Sequence, residues 1–172
     1  MPGTDSGPLT LAGRFNYYSS THLGAVARFY ARLHRRLFDR FGGTRFATLF
    51  GHPVLELTVP GRTSGQPRPV MLMLVRTGDT LLVCGSNGGN PGTPNWWKNL
   101  LAADHASVRI GRETFPVTTR VVTDDTEYAT HWQTLAAAYP HFTTYRALSP
   151  RHFPIAVLTR ADARTNDLGG KG

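Results

Sequence analysis

Apolar positions recur along this chain with two different periods, and the change from one to the other divides it. Over residues 23–41, LGAVARFYARLHRRLFDRF, the side chains of Leu23, Val26, Tyr30, Leu33, Leu37 and Phe41 return every three or four positions. That spacing lays them along one side of a helix, and Phe29 and Phe38 widen the stripe. Gly42 and Gly43 follow, where a helix ends readily because glycine accepts the left-handed cap conformation. Beyond them come strand-like runs at 54–59, 69–76 and 80–85, with Gly78 and Asp79 turning between the last two. SVRI at 107–110 and TFPVTTRVV at 114–122 flank a turn at Gly111 and Arg112, and PIAVLTR at 154–160 closes the series as a sixth strand.

Helical signals interrupt the strands at three places. Thr93 as N-cap with Pro94 at the first helical position starts a short helix. Asp124 or Asp125 caps a longer one, TEYATHWQTLAAAY, which ends at Pro140, and HFTTYRAL at 141–148 reads as a third. Successive strands joined by tight turns pair antiparallel, which excludes a doubly wound parallel sheet. The expected fold is therefore α+β and mainly β, a small antiparallel barrel with peripheral helices. Its expected organisation is a flexible segment at 1–20, the amphipathic helix at 21–43, the barrel domain at 44–160 and a small, polar, Gly-rich tail at 161–172.

Composition narrows the function classes. With 172 residues, 40% hydrophobic and 10% aromatic, the chain suits one globular domain. Nineteen Lys and Arg against eleven Asp and Glu leave a net charge of +8, which calls for an anionic partner: nucleic acid, a membrane surface or a phosphorylated ligand. The lone Cys84 excludes an internal disulfide and suits a reducing, cytoplasmic setting. No stretch approaches the roughly 20 apolar residues that span a bilayer, and the opening lacks the charged-then-apolar order of a signal peptide. Seven scattered histidines, none paired at i, i+4, make a metal site unexpected. Neither G-x-S-x-G nor G-x-G-x-x-G occurs, so any redox chemistry would come from a cofactor bound outside a Rossmann fold.

Two polar stretches exceed what turn chemistry requires. In VPGRTSGQPRP, residues 59–69, the turn accounts for Pro60, Gly61, Gly65 and Pro67. Arg62, Ser64 and Arg68 together make either an anion site of hydroxyl, backbone N–H and guanidinium groups or a long solvated hairpin. In CGSNGGNPGTPNWWKNL, residues 84–100, Ser86, Asn87 and Gly88 sit just past a strand, where a ligand can approach the backbone closely. Trp96 and Asn99 share a helix face that suits a flat, hydrogen-bonding ring, while Trp97, about 100° round the helix, is expected in the core. The plainer reading is a flexible connection with two core tryptophans. Cys84, in LLVCG, reads as a small buried hydrophobe.

In order, L-x-L-T-x-x-GR-x-SG-Q-x-R, S-N-G-G and P-N-W-x-x-N-L resemble the deazaflavin-dependent nitroreductase family, whose members use coenzyme F420. Tyr139, Pro140 and Tyr145, then Arg151 and the run Pro154 to Val157, extend the likeness, which covers about Val54 to Arg160. The resemblance implies a split β-barrel of the kind seen in flavin-binding oxidases, with F420 in its groove and FMN as the alternative cofactor. It also implies a reductase that passes a hydride to a small hydrophobic acceptor such as a quinone, an enone or a nitroaromatic. Arg62, Thr63, Ser64, Gly65 and Arg68 inherit the phosphate loop. Met71, Met73, Cys84, Ser86, Asn87, Gly88, Trp96 and Asn99 inherit the ring and its side chain, with Tyr145, Tyr139 and Ser86 as hydroxyl donors to the acceptor. A phenol with an ordinary pKa of roughly 10 stays protonated and can donate to a developing oxyanion. This chain departs from the family pattern in three places: Thr63 stands where Lys is common, Met71 and Met73 soften the ring pocket, and Phe142 replaces the middle of three tyrosines.

Three rivals follow from the same features: an FMN-dependent split-barrel enzyme, a deazaflavin carrier without turnover and a nucleic-acid module. The last lacks aromatics interleaved with basic residues on a sheet, so no nucleic acid is expected. A monomer or a homodimer is expected. The helix at 23–41 carries Arg28, Arg32, Arg35, Arg36 and Arg40 opposite its apolar stripe. It would either pack on its own barrel or lie on an anionic membrane, placing the protein peripherally on the inner face. On the membrane reading, the full chain should sediment with anionic vesicles at low salt, and a chain starting near Gly43 should not. Each Arg near the surface contributes about 1 kcal/mol, and 1 M salt, with its Debye length of roughly 3 Å, should release the protein.

Overall fold

The computed structural model describes residues 48–49 and 51–161. The segment 1–20, the amphipathic helix expected at 21–43 and the tail beyond Ala161 lie outside the described residues. Among the described residues there are eight strands: β1 (Thr48–Leu49), β2 (His52–Pro60), β3 (Pro67–Met73), β4 (Val75–Thr77), β5 (Thr80–Cys84), β6 (Ala106–Ile110), β7 (Glu113–Val121) and β8 (Ile155–Arg160). The helices are α1 (Asn95–Ala102), α2 (Asp125–Ala138) and α3 (His141–Leu148), with a single 3-10 turn at Asn87–Gly89. All strand pairs are antiparallel, in the order β1–β2–β6–β7–β8–β5–β4, with β3 on the other flank of β2.

The run 69–76, expected as one strand, is two. It breaks at Leu74, whose N–H donates to the Pro53 carbonyl at 2.9 Å as the last bond of the β2–β3 ladder, since Pro53 has no N–H to return it. Before the break, β3 pairs with β2 from Pro60↔Pro67 to Val54↔Met73; after it, β4 pairs with β5 from Val75↔Leu82. One residue therefore joins strands at opposite ends of the sheet. A twisted sheet meets that condition by curling until its two ends come together, and the result is a split barrel.

The curl creates two cores. Inside it pack Leu55, Leu57 and Val59 of β2, Leu81 and Val83 of β5, Val108, Leu158, and Trp97 and Leu100 from α1. Outside, Leu82 and Cys84 of β5 and Ile155 and Val157 of β8 meet Trp132 and Leu135 of α2 and Phe142 and Tyr145 of α3. β5 and β8 are thus buried on both faces, which is why LLVC and IAVL are apolar at every position rather than at alternate ones. Asp124 caps α2, its carboxylate accepting from the Glu127 N–H at 2.8 Å. α1 begins one residue later than expected, with Pro94 rather than Thr93 as N-cap.

Trp97 is 3% exposed inside the barrel. Trp97→Ala should lower stability by about 3–5 kcal/mol, as truncation of a buried Trp does. The check is the midpoint of urea unfolding, and an unshifted midpoint would contradict this packing.

Candidate functional site

The loop between β2 and β3 is wound tightly on itself. Ser64 and Gly65 donate their N–H groups to the Gly61 carbonyl at 3.1 and 2.7 Å, and the Gly61 N–H reaches the Gln66 carbonyl at 2.9 Å. A Cβ at position 61 would stand 2.9 Å from Ser64 Oγ and 3.2 Å from Arg68 Nε, so any larger residue there displaces those two side chains. Ser64 Oγ accepts from Arg68 Nη2 at 3.2 Å and from the Gln66 N–H at 3.3 Å. Arg62 donates its N–H and its Nη1 to Asn99 Oδ1 at 3.3 and 2.9 Å.

Among the described residues neither guanidinium meets a carboxylate; each is held by neutral oxygens, and most of its five N–H donors remain available. Arg62, Thr63, Ser64, Gly65 and Arg68 are all exposed. The donor set fits a phosphate: two forked cations beside a hydroxyl, with no anion to compete.

From this loop β3 runs into a groove of about 330 Å³. One wall is β3 itself, from Val70 to Met73, and the floor is Leu82 and Cys84 of β5. Ser86, Asn87 and Gly88 of the following loop and Trp96 of α1 form one end. Leu135, Tyr139, Phe142 and Tyr145 of the α2–α3 hairpin form the facing wall. Arg68 lies three residues from Met71, roughly 10 Å along the strand, so the cationic loop and the groove are two ends of one track.

The groove is chemically quiet except for its hydroxyls. The Tyr139 and Tyr145 hydroxyls lie 3.5 Å apart, and both residues are buried. Burial, and then the neighbouring Tyr139, push the Tyr145 phenol well above its ordinary value, so it acts as a donor and not as a phenolate. The Tyr139 ring is packed edge-on by His52, His141 and Phe142, with centroids 5.0, 4.8 and 5.3 Å away. Burial also pushes the Cys84 thiol up to about 12, against the smaller opposing effects of the Ser86 N–H and the Arg151 charge.

Trp96 lines the groove while Trp97 faces the barrel core, as helical geometry predicts, the two indoles meeting at 76°. Asn99, expected to close around the ring with Trp96, is not a groove-lining residue: it is 8% exposed and its oxygen is taken up by Arg62. Thus α1 serves both ends of the track, through Trp96 at one and Asn99 at the other. Sequence reasoning missed Leu135, Val70, Leu72 and Leu82 as lining residues, since as single apolar positions they look like any core residue. Among the described residues no three His, Cys, Asp or Glu side chains gather to hold a metal, and no helix is long and apolar enough to cross a membrane.

Residues 30–160 match the F420H(2)-dependent quinone reductase family. The chain belongs to that family. An F420H(2)-dependent quinone reductase of Mycobacterium tuberculosis strain H37Rv is 36% identical over 110 residues, which cover 63% of this chain and 74% of that protein. A solved F420-H2 dependent reductase, FDR-A, is 30% identical over 62% of this chain and 93% of its own, with a TM-score of 0.57. A solved domain-swapped dimer is 26% identical over 77% of this chain and 98% of its own, with a TM-score of 0.60. Family membership makes the protein an F420-dependent oxidoreductase on a split barrel, with coenzyme F420 as its cofactor.

Because its thiol is pushed to about 12, Cys84 of this F420-dependent enzyme should stay unreactive to iodoacetamide at pH 8, where a free thiol is substantially ionised. Labelling followed by mass spectrometry, with and without denaturant, checks this. Rapid labelling of the native protein would show that the groove floor is open.

Proposed function

We propose that the groove seats the deazaflavin ring of F420, that the Arg62–Ser64–Arg68 loop holds its phosphate, and that the acceptor is a small hydrophobic quinone. The observation that carries this reading is the continuity of β3, which leads from two uncompensated guanidiniums to a half-buried, aromatic-walled groove. Bound F420H2 supplies a hydride. The chain's own residues do the rest by holding and orienting.

Met71, Met73 and Trp96 offer polarisable, flat packing to a ring. Ser86, Asn87 and Gly88 offer backbone and side-chain polar groups at its edge. Tyr139, Phe142 and Tyr145, packed edge-on and tilted against one another, form an aromatic wall suited to an apolar acceptor. Tyr145 or its partner Tyr139, with Ser86 as a third hydroxyl, would donate to the acceptor oxygen as negative charge develops there. Burial keeps that donor protonated. Leu135 and the α2–α3 hairpin exclude water, which strengthens the donation. Cys84, a neutral thiol, contributes packing only.

The name of the relative from Mycobacterium tuberculosis favours a quinone, and enones and nitroaromatics are the comparison acceptors. An anionic membrane surface as a further partner rests on residues 23–41 and on the vesicle experiment above. The solved domain-swapped dimer supports a homodimer as the assembly of this chain.

The test is a titration of F420 against tryptophan fluorescence, followed by turnover with F420H2 and the three acceptor classes. Arg62→Ala and Arg68→Ala should each weaken F420 binding roughly ten-fold, with a smaller loss for a cofactor fragment that lacks the phosphate. Tyr145→Phe should lower kcat with quinone by about 10²-fold and leave F420 affinity nearly unchanged. Unchanged affinity in both arginine variants would overturn the phosphate assignment, and unchanged kcat in Tyr145→Phe would remove that hydroxyl from the reaction.

A further inference from the structure

We propose that Arg151 is a positioning residue for the cofactor ring, acting through the backbone of the Gly85–Asn90 loop; this rests on the reading that the groove holds F420. Arg151 follows α3 and precedes β8, and its side chain crosses to the loop at the groove's end. Nη2 donates to the Gly85 carbonyl at 3.0 Å and to the Ser86 carbonyl at 2.7 Å, and Nε donates to the Asn90 carbonyl at 3.2 Å. The guanidinium carbon sits 4.8 Å from the centre of the Phe153 ring, and Phe153 is 1% exposed, so the fork is held on a fixed platform. One side chain thereby ties the segment after Tyr145 to the loop that bears Ser86, Asn87 and Gly88.

The consequence lies on the other side of those peptides. In a trans peptide the C=O and the following N–H point in opposite directions, and the described residues contain no cis bond. Carbonyls 85 and 86 face Arg151, so the N–H groups of Ser86 and Asn87 are turned away from it. The Ser86 N–H does lie at the sulfur of Cys84, which lines the groove. Ser86 is right-handed (φ −66°, ψ −30°) and Asn87 left-handed (φ 54°), an alternation that brings successive amides to one side as a concave donor set. Asn87 is the one positive-φ residue other than glycine among those described. Asn tolerates this conformation more readily than any residue but glycine, and its neighbours here fix it. Here the Arg151 bonds, the Asn87 Nδ2 bond to the Gly92 carbonyl and the Asn90 Nδ2 bond to the Asn87 carbonyl, both 2.8 Å, impose it.

A guanidinium bridges three carbonyls because its donors are fixed in one plane; an ammonium is a point charge without that fork. Arg151 is therefore placed to set where the loop's amide donors stand against the polar edge of a ring in the groove. It touches neither the ring nor an acceptor in this account, and its action passes through the loop.

The experiment uses the full chain as wild type, Arg151→Ala and Arg151→Lys, with two readouts: F420 affinity by fluorescence, and amide hydrogen exchange of the cofactor-free protein. Both variants should bind F420 about ten-fold more weakly. In both, exchange should quicken at residues 86–90 while β5 and β8 stay protected as in wild type. Methylguanidinium at millimolar concentration should restore affinity and loop protection to Arg151→Ala. Wild-type affinity in either variant would overturn the proposal. So would accelerated exchange spread across the barrel without methylguanidinium rescue, which marks a residue that only stabilises the fold. Failure of the underlying reading has a different signature: wild-type protein binds F420 without added protection at Ser86–Gly88, whatever the variants do.

Discussion

The molecule depends on one backbone break. The β2–β3 ladder ends where Leu74 donates to the Pro53 carbonyl, since Pro53 has no N–H to return the bond, and β4 then crosses to β5. Antiparallel partners of β2 and β5 thus come from a single run of chain, and the sheet between them has to curl to bring its ends within one residue of each other. Where β3 and β4 part, the barrel wall opens toward β5 and the helices, and that opening is the groove. The groove is the geometric remainder of a sheet that closes through its chain rather than through a full ladder.

The closure also sets the polarity of the site. β3 begins among exposed cationic and hydroxyl groups and ends against methionines and aromatics, so a single extended element grades from a phosphate-like environment to an apolar one. α1 braces both ends, with Asn99 holding Arg62 and Trp96 at the groove. On the opposite side, α2 and α3 turn about Pro140 and lay three aromatic rings over the outer face of β5 and β8. Their burial removes water from the hydroxyl pair and holds Tyr145 neutral. Burial is therefore what keeps this tyrosine protonated, and the same burial keeps the Cys84 thiol protonated.

Much of this was legible in the chain. The hairpin turns at Gly78–Asp79 and Gly111–Arg112, the Asp124 cap and the antiparallel, mainly β class follow from local chemistry: positive-φ residues at two-residue turns and a carboxylate facing free N–H groups. The GR-x-SG-Q-x-R, S-N-G-G and P-N-W-x-x-N-L motifs pointed to the family because three separated motifs fall in order with plausible spacing, where any one of them alone would be weak. Trp96 and Trp97 were separable on helical geometry alone, since adjacent positions diverge by about 100°.

What the tertiary structure alone decided are the relations between distant segments. Nothing in VMLMLV marks Leu74 as the break, because the ladder ends against Pro53, 21 residues earlier, and the two meet only once β2 and β3 are in register. Asn99 and Trp96 share a helix face in sequence, yet their partners lie at opposite ends of β3. Arg151 reads as one basic residue near a proline, and its work is visible only once three carbonyls from 61 to 66 residues away stand in one fork. Local propensity determines which elements form and which positions are apolar. Which of those apolar and polar groups face one another is set by how the sheet closes, and that is a property of the whole chain.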